Sequence, residues 1–421
     1  MVNSPRTTVG IMVGGGPAPG INSVISAVTI RSILGGCDVV GILDGFKWLM
    51  EGSTGRTRPL SIEEVSRIHF QGGSYLGTSR ANPTKNSEYL DRVVSALSSL
   101  GITRLVTIGG DDTAFSAHKL EERSSGRIQV VHVPKTIDND LDLPHGIPTF
   151  GFQTARHLGV AIVKNLMVDA QTTSRWYFAV TMGRKAGHLA LGIGKAAGAT
   201  LTVIPEEFPE RPVKLQRLLD LLIGAIIKRL NAGRADGVVV LAEGLVEMLD
   251  PADLGGLEHI ERDEHGHLRL AEVDIGDLLR REVMKGIKAL GVATTIVSKN
   301  VGYELRCADP IPYDIEYTRD LGYCAAQYLL DGGTAAMVSI QDGRFKPIPF
   351  KQMLDPATGR AKVRMVDIGS QSYQIACQYM IRLTEEDFND TAVLGRCAML
   401  TGLSPEAFRQ RFEPVVARSS T

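Results

Sequence analysis

The chain has 421 residues, and its 46 Lys plus Arg nearly balance 47 Asp plus Glu, so no global charge bias marks a dedicated nucleic-acid binder. Five scattered cysteines (Cys37, Cys307, Cys324, Cys377, Cys397) without a CxxC exclude a disulfide framework and a zinc finger, and point to a reduced, cytoplasmic chain. No window of about 18 apolar residues reads as a membrane span, and MVNSPRTTVGIMV lacks the pattern of a secretory leader.

Short β-rich runs alternate with helical patterns from the start. TTVGIMV (7–13) reads as a buried strand, 20–34 as a helix and DVVGILDG (38–45) as a second strand. A helix over 89–101, a strand over 104–110, a helix over 112–125 and a strand over 128–135 follow. This alternation predicts a parallel, doubly wound sheet, in which ligands sit beyond the carboxyl ends of the strands. The pattern restarts near residue 150: helix 151–170, strand 176–183, helix 185–198, strand 201–207, helix 214–233 and strand 237–244. A polar stretch from 247 to about 268 reads as a surface insertion, and the last sixty or so residues read as helices capping one domain. The fold class is therefore α/β, and the length allows about two to three domains.

The chemistry concentrates at strand ends. VTIGGDDTAF (106–115) and VHVPKTIDNDL (131–141) each finish an apolar run in carboxylates: Asp111 and Asp112, then Asp138 and Asp140, with Lys135 at the mouth of the second. Like charges at neighbouring strand tips are costly unless a cation or a reaction uses them. VGGGPAPGIN (13–22) joins a strand to a helix, and its glycines let backbone N–H groups approach an anion at the helix N-terminus. It is neither GxGxxG nor GxxxxGK[ST], so a phosphate cradle and a plain tight turn both remain open for that loop alone. FQGGSYLGTSRANP (70–83) is a second glycine-rich loop ending near Arg80, whose guanidinium fits phosphate bidentately. His132 reads as a satisfied core histidine, Lys185 and His188 as solvated or supporting groups rather than catalytic ones, and 258–267 as a solvated charge run, with metal binding by His259, His265 and His267 a remote alternative.

GGGPAPGIN, GGSYLGTSR, GGDDT, PKTIDND, GFQTA, MGRKAGHLAL, VVVLAEG and YELRCADPIPYD, in that order from about residue 9 to 330, resemble the phosphofructokinases. The resemblance implies two Rossmann-like three-layer domains with the active site in the cleft between them, plus a helical C-terminal extension. Residues 1–149 with about 305–360 would bind pyrophosphate and Mg²⁺. Residues 150–304 with about 361–421, carrying an insertion at about 247–270, would bind fructose 6-phosphate. ATP-using members usually have GGDG and PGTIDND; here Asp112 and Lys135 stand at those positions, as in the pyrophosphate-dependent members. A carboxylate at 112 would repel the α-phosphate of a nucleotide, while Lys135 would place a compact cation where the leaving phosphate gains charge.

Roles carried over from the resemblance follow residue by residue. Asp138 is the expected general base toward the sugar O1 hydroxyl, and a carboxylate beside two others is expected to have a raised pKa that suits the task. Lys135, Asp140 and Arg184 complete the expected catalytic set, with Asp140 orienting Thr136 or the metal's water shell. Asp111 is the expected Mg²⁺ ligand. Gly15, Gly16, Arg80, Asp112, Thr113, Lys135 and Thr136 are expected on pyrophosphate. Thr136, Asp138, Arg175, Met182, Gly183, Arg184, Glu243, Lys299, Tyr303 and Arg306 are expected on the sugar phosphate, with Arg306 at the 6-phosphate and Glu243 either on sugar hydroxyls or capping a neighbouring element. Arg175 matches a residue that reaches in from a neighbouring subunit, which implies a homodimer or homotetramer. Tyr303 stands where many ATP-using bacterial members have histidine, and Lys299 is placed without a fixed register. The implied reaction is reversible phosphoryl transfer from pyrophosphate to fructose 6-phosphate in glycolysis. Its alternatives are the ATP-dependent enzyme and a non-catalytic regulatory subunit. A nicotinamide dehydrogenase shares the α/β pattern but lacks its glycine fingerprint and gives Lys135 no role.

Overall fold

The computed structural model describes residues 6–144, 146–255, 273–355 and 362–416. The chain forms two compact units: residues 1–155 with 303–364, and residues 156–302 with 365–421.

In the first unit, strands β1 (Thr8–Val13), β2 (Asp38–Ile42), β3 (Thr57–Pro59), β4 (Ile102–Gly109) and β5 (Gln129–Pro134) join short strands Ala336–Met337 and Ile348–Pro349 in one sheet. From one edge the order is Ile348–Pro349, Ala336–Met337, β5, β4, β1, β2, β3, with the interior strands parallel. β1 from Val9 to Val13 and β4 from Leu105 to Gly109 are buried throughout, as strands covered on both faces must be. Helices Ser87–Ser99 and Asp111–Ser124 bury Val93, Leu97, Ala117 and Leu120 with Met12 and Leu105. Helices Ile21–Leu34 and Pro312–Leu330 meet so closely that a Cβ on Gly322 would lie 2.8 Å from the Val24 carbonyl oxygen. The chain leaves β1 toward β2 on one side and returns to β4 on the other, so the strand order reverses between β1 and β4. In open α/β sheets such a reversal opens a crevice at the carboxyl ends. The segments that leave it here are Gly14–Gly20 and Gly110–Thr113.

In the second unit, β6 (Trp176–Thr181), β7 (Leu201–Val203), β8 (Gly237–Ala242) and β9 (Ile296–Val301) form a parallel sheet in the order β7, β8, β6, β9. Helices Leu215–Asn231 and Ile275–Ala289 bury Leu222, Ile226, Leu279 and Val283 with Trp176 and Phe178. The helices near the C-terminus join this core through Leu383, Phe388, Phe408 and Phe412. Lys228–Asp387 (2.6 Å) and Arg411–Asp220 (2.8 Å) hold them there.

Several expectations are corrected. The second strand ends at Ile42, because Asp44 (φ 56°) and Gly45 (φ 61°) turn the backbone left-handed. The run 201–207 is strand only to Val203; Pro205 has no N–H for a ladder, and Pro205–Glu207 forms a 3₁₀ turn. The helix expected over 185–198 spans His188–Ala197. The 247–254 stretch is not a surface insertion: Met248, Leu249 and Leu254 are fully buried. Its continuation from 256, with His259, His265 and His267, lies outside the described residues. The helices Ile275–Ala289 and Pro312–Leu330 and strand β9 are findings of the structure.

Candidate active site

The first unit gathers a charged group at the β1/β4 crevice. Gly14 N–H donates to the Ile108 carbonyl (2.8 Å), and Gly15 N–H to Ser79 (2.8 Å). Thr78 Oγ1 donates back to the Gly15 carbonyl (2.6 Å), so the two glycine-rich loops are stitched together. Gly15 has φ 80°, a conformation that disfavours a side chain. A Cβ there would stand 3.5 Å from Lys135 Nζ, and one on Gly16 would stand 3.4 Å from Arg306 Nη1. Asn22 fixes the second loop, donating to Gln71 and Gly72 (3.1 Å each) and accepting from Tyr75 N–H (2.7 Å).

Lys135 leaves the end of β5 with its backbone N–H on the Gly109 carbonyl (2.8 Å). Its ammonium donates to the Gly16 carbonyl (2.5 Å), and the residue is only 5% exposed. Burial pushes its pKa down to about 8, Arg306 and Arg80 push the same way, and Asp138 and Asp140 oppose them. An ammonium carries three donors, so one bond to Gly16 leaves capacity for a phosphate oxygen. His132 lies beneath this layer, fully buried, as a satisfied core histidine. Its Nε2–H donates to the Gly109 carbonyl (3.0 Å) and its Nδ1 accepts from Thr107 (2.9 Å). Burial drives its pKa down to about 3, so it stays neutral at physiological pH.

The segment after Lys135 is a folded loop. Thr136 Oγ1 donates to Asp140 Oδ1 (3.1 Å) and accepts from Asp138 N–H (3.0 Å). Thr149 closes the loop, donating Oγ1–H to the Thr136 carbonyl (2.6 Å) and N–H to Asn139 Oδ1 (3.0 Å). Asp111 and Asp112 occupy the first turn of helix 111–124, where the helix dipole favours carboxylates, and Asp112 N–H donates to Asp111 Oδ1 (2.9 Å). Thr113 is buried, with its side chain wedged against Gly14 and Gly109, so it serves as packing between strand tips. Among the described residues there is no group of three or more His, Cys, Asp or Glu side chains that could hold a metal ion by themselves. Mg²⁺ prefers one or two carboxylates plus substrate oxygens, and Asp111 fits that donor set.

Arg306 and Tyr303 lie in this unit on the short helix Tyr303–Arg306, the guanidinium stacked 4.6 Å from the ring centroid. Asp314, fully buried, accepts from Gly151 N–H (2.9 Å), Thr154 N–H (2.7 Å) and Thr154 Oγ1–H (2.6 Å). It thus satisfies donors at the start of helix Phe152–Thr173.

In the second unit, three loops leave the carboxyl ends of adjacent strands and interlock. Gly183 (φ 123°) accepts from Gly244 N–H (3.3 Å), and a Cβ on Gly244 would come within 2.2 Å of the Arg184 carbonyl oxygen. A Cβ on Gly302 would press on Met182 at 3.0 Å. Arg184 and Glu243 approach to 3.6 Å, both partly exposed, which gives this unit a facing cation and carboxylate. Glu206 accepts from Gly187 N–H (2.9 Å) and Val366 N–H (2.9 Å), anchoring the Met182–Gly187 loop. Lys299 is exposed on edge strand β9, in register with Ala179. Arg175 is not brought to this group. It precedes β6, at the opposite end of a strand about 20 Å long, and contacts Tyr177.

Sequence reasoning missed Asn22, Asn139, Glu206, Asp314 and Arg364. Pro205 was the available signal for Glu206, and an acid in the first turn after Pro312 was the signal for Asp314. Arg364 offered none, since its partner Asn139 lies 225 residues away.

The comparisons with known proteins agree with this layout. The family model described as Phosphofructokinase matches residues 8–329. A relative from Thermotoga maritima named pyrophosphate--fructose 6-phosphate 1-phosphotransferase is 54% identical over 96% of this chain and 97% of its own. One of the same name from Naegleria fowleri is 48% identical over 97% and 96%. A pyrophosphate-dependent phosphofructokinase structure from Nitrosospira multiformis shares the fold at TM-score 0.68 and 17% identity, covering 89% of this chain and 90% of its own. The Pichia pastoris phosphofructokinase also shares it (TM-score 0.65, 19% identity), but this chain spans only 39% of that longer chain. A match through both sheets, with relatives alike almost end to end, means that the chain belongs to the phosphofructokinase family.

Proposed function

We propose that the chain transfers a phosphoryl group reversibly from pyrophosphate to O1 of fructose 6-phosphate, giving fructose 1,6-bisphosphate and phosphate. The observation that carries this reading is the buried Lys135 ammonium on the Gly16 carbonyl, set against Asp112 at the start of its helix. Two carboxylates in that first turn use up the positive end of the helix dipole that a nucleotide phosphate could otherwise occupy. The ammonium supplies a fixed cation to a compact dianionic leaving group instead.

In this reading the pyrophosphate contacts come from the first unit, and the sugar-phosphate contacts come from the second unit together with Tyr303 and Arg306 of the first. Asp138 takes the O1 proton as that oxygen attacks phosphorus. Thr136, Arg80 and the Gly15–Gly16 backbone hold the transferring group, and Lys135 balances charge on the departing phosphate. Arg184, Glu243, Met182, Gly183, Lys299, Tyr303 and Arg306 orient the sugar phosphate. Asp111 would hold Mg²⁺, which would supply positive charge against the phosphate oxygens.

The test is stoichiometric. Purified protein given fructose 6-phosphate, pyrophosphate and Mg²⁺ should release fructose 1,6-bisphosphate and phosphate in equal amounts. Given fructose 1,6-bisphosphate, it should form pyrophosphate only when phosphate is added. Bisphosphate consumption without phosphate would contradict the reading.

Arg175 supports an assembly of at least two chains, because within its own chain it sits at the far end of β6 from Arg184. Mixing inactive Arg175→Ala with inactive Asp138→Ala should recover activity, as some shared sites then regain both residues. No recovery after subunit exchange would place Arg175 outside the site.

A further inference from the structure

The Thr136–Asp140 loop carries three of the residues assigned to the reaction, Thr136, Asp138 and Asp140, and its backbone turns left-handed between the two carboxylates. Asn139, between Asp138 and Asp140, has φ 58°, in the left-handed region where side-chain-bearing residues are uncommon. A residue held there persists when its surroundings over-determine it.

Thr149, whose N–H meets Asn139 Oδ1 (3.0 Å), and Arg364 supply those surroundings. Half-buried Arg364 donates Nε–H to the Asn139 carbonyl (3.1 Å) and an Nη2–H to Asn139 Oδ1, while Nη1–H reaches the Ile147 carbonyl (2.8 Å). Its own backbone N–H donates to the Asp140 carbonyl (2.8 Å), and Val363 bridges Leu141 in antiparallel register. Arg364 therefore clamps both arms of the loop, the outgoing one at Asn139 and Asp140 and the returning one at Ile147. The planar fork of a guanidinium can meet three acceptors in fixed directions, which a lysine ammonium cannot.

We infer that Arg364 is a positioning residue for phosphoryl transfer: it locks Asn139 in the left-handed conformation that aims the Asp138 and Asp140 carboxylates. The inference rests on the proposed reaction. Arg364 is not assigned to either substrate, so its loss should act on turnover rather than on binding.

The experiment compares wild type, Arg364→Ala and Arg364→Lys in the pyrophosphate-dependent assay. Misplacing a catalytic group by about 1 Å can cost roughly 10²-fold. Arg364→Ala is expected to lower kcat by about 10- to 100-fold, with both KM values within about threefold of wild type. Added guanidinium at concentrations below those that unfold the protein should restore part of kcat in Arg364→Ala and none in wild type. Arg364→Lys should stay impaired although its charge is kept. Unchanged kcat, or a loss confined to KM, would overturn the inference. If Arg364→Ala does not fold, Arg364→Lys carries the same kcat-against-KM test. Wild type inactive with pyrophosphate would instead remove the proposed reaction, so the two failures are distinguishable.

Discussion

Replacing Lys135 with methionine is expected to lower kcat/KM for pyrophosphate by about 10²- to 10³-fold, the usual loss when a preorganised donor to developing charge is removed. The substitution is close in length, so the Gly16 contact and its neighbours lose a charge rather than a volume. The wild-type pH profile should carry the same signature. Burial holds the ammonium's pKa down to about 8. The charge is therefore present below that pH and lost as the pH rises through it. kcat/KM for pyrophosphate, which reports the free enzyme, should fall on an alkaline limb near pH 8 by about tenfold per unit. Lys135→Arg, whose charge persists, should lose that limb at a lower kcat. For stability the sign is reversed. Between about pH 8 and the ordinary lysine range the unfolded chain binds more protons, so the Lys135 contribution to stability rises with pH. An alkaline limb identical in wild type and Lys135→Arg would show that another group titrates.

Asp138→Ala should lower kcat by about 10²- to 10⁴-fold while leaving pyrophosphate binding nearly intact, since a general base acts on the proton in flight rather than on the bound anion. The loop should survive the change. Asp138 contributes its backbone N–H to Thr136 Oγ1, which alanine keeps, and the closing bonds come from Thr149 and Arg364. Rapid mixing with labelled pyrophosphate would separate binding from turnover. Turnover within a few-fold of wild type would remove Asp138 from the role of base and favour a binding protein.

Much of the first unit was legible because its strands are short apolar runs that stop at glycine: β1 before Gly14 and β4 at Gly109. The charge pattern singled out Asp111 and Asp112 after β4 and Lys135, Asp138 and Asp140 after β5, while their expected roles came from the family resemblance. What stayed hidden has physical causes. Strand β9 is an edge strand, and Ser298, Lys299 and Asn300 break its apolar run. Helix Ile275–Ala289 follows a polar stretch, although Ile275, Leu278, Leu279, Val283 and Ile287 keep a helical spacing. Thr113 looks like a phosphate ligand in GGDDT, but the glycines beside it leave a hole that its side chain fills. Arg364 and Asn22 act across long sequence separations, and no local pattern marks such partners.

The central claim is that a carboxylate at 112 and an ammonium at 135 together select a two-phosphate donor over a nucleotide. The direct measurement is kcat/KM for pyrophosphate and for ATP on one preparation, in wild type and in Asp112→Gly/Lys135→Gly. Wild type should strongly prefer pyrophosphate, and the double variant should lose most of that preference through weaker use of pyrophosphate. Comparable kcat/KM for ATP and pyrophosphate in the wild-type enzyme would contradict it.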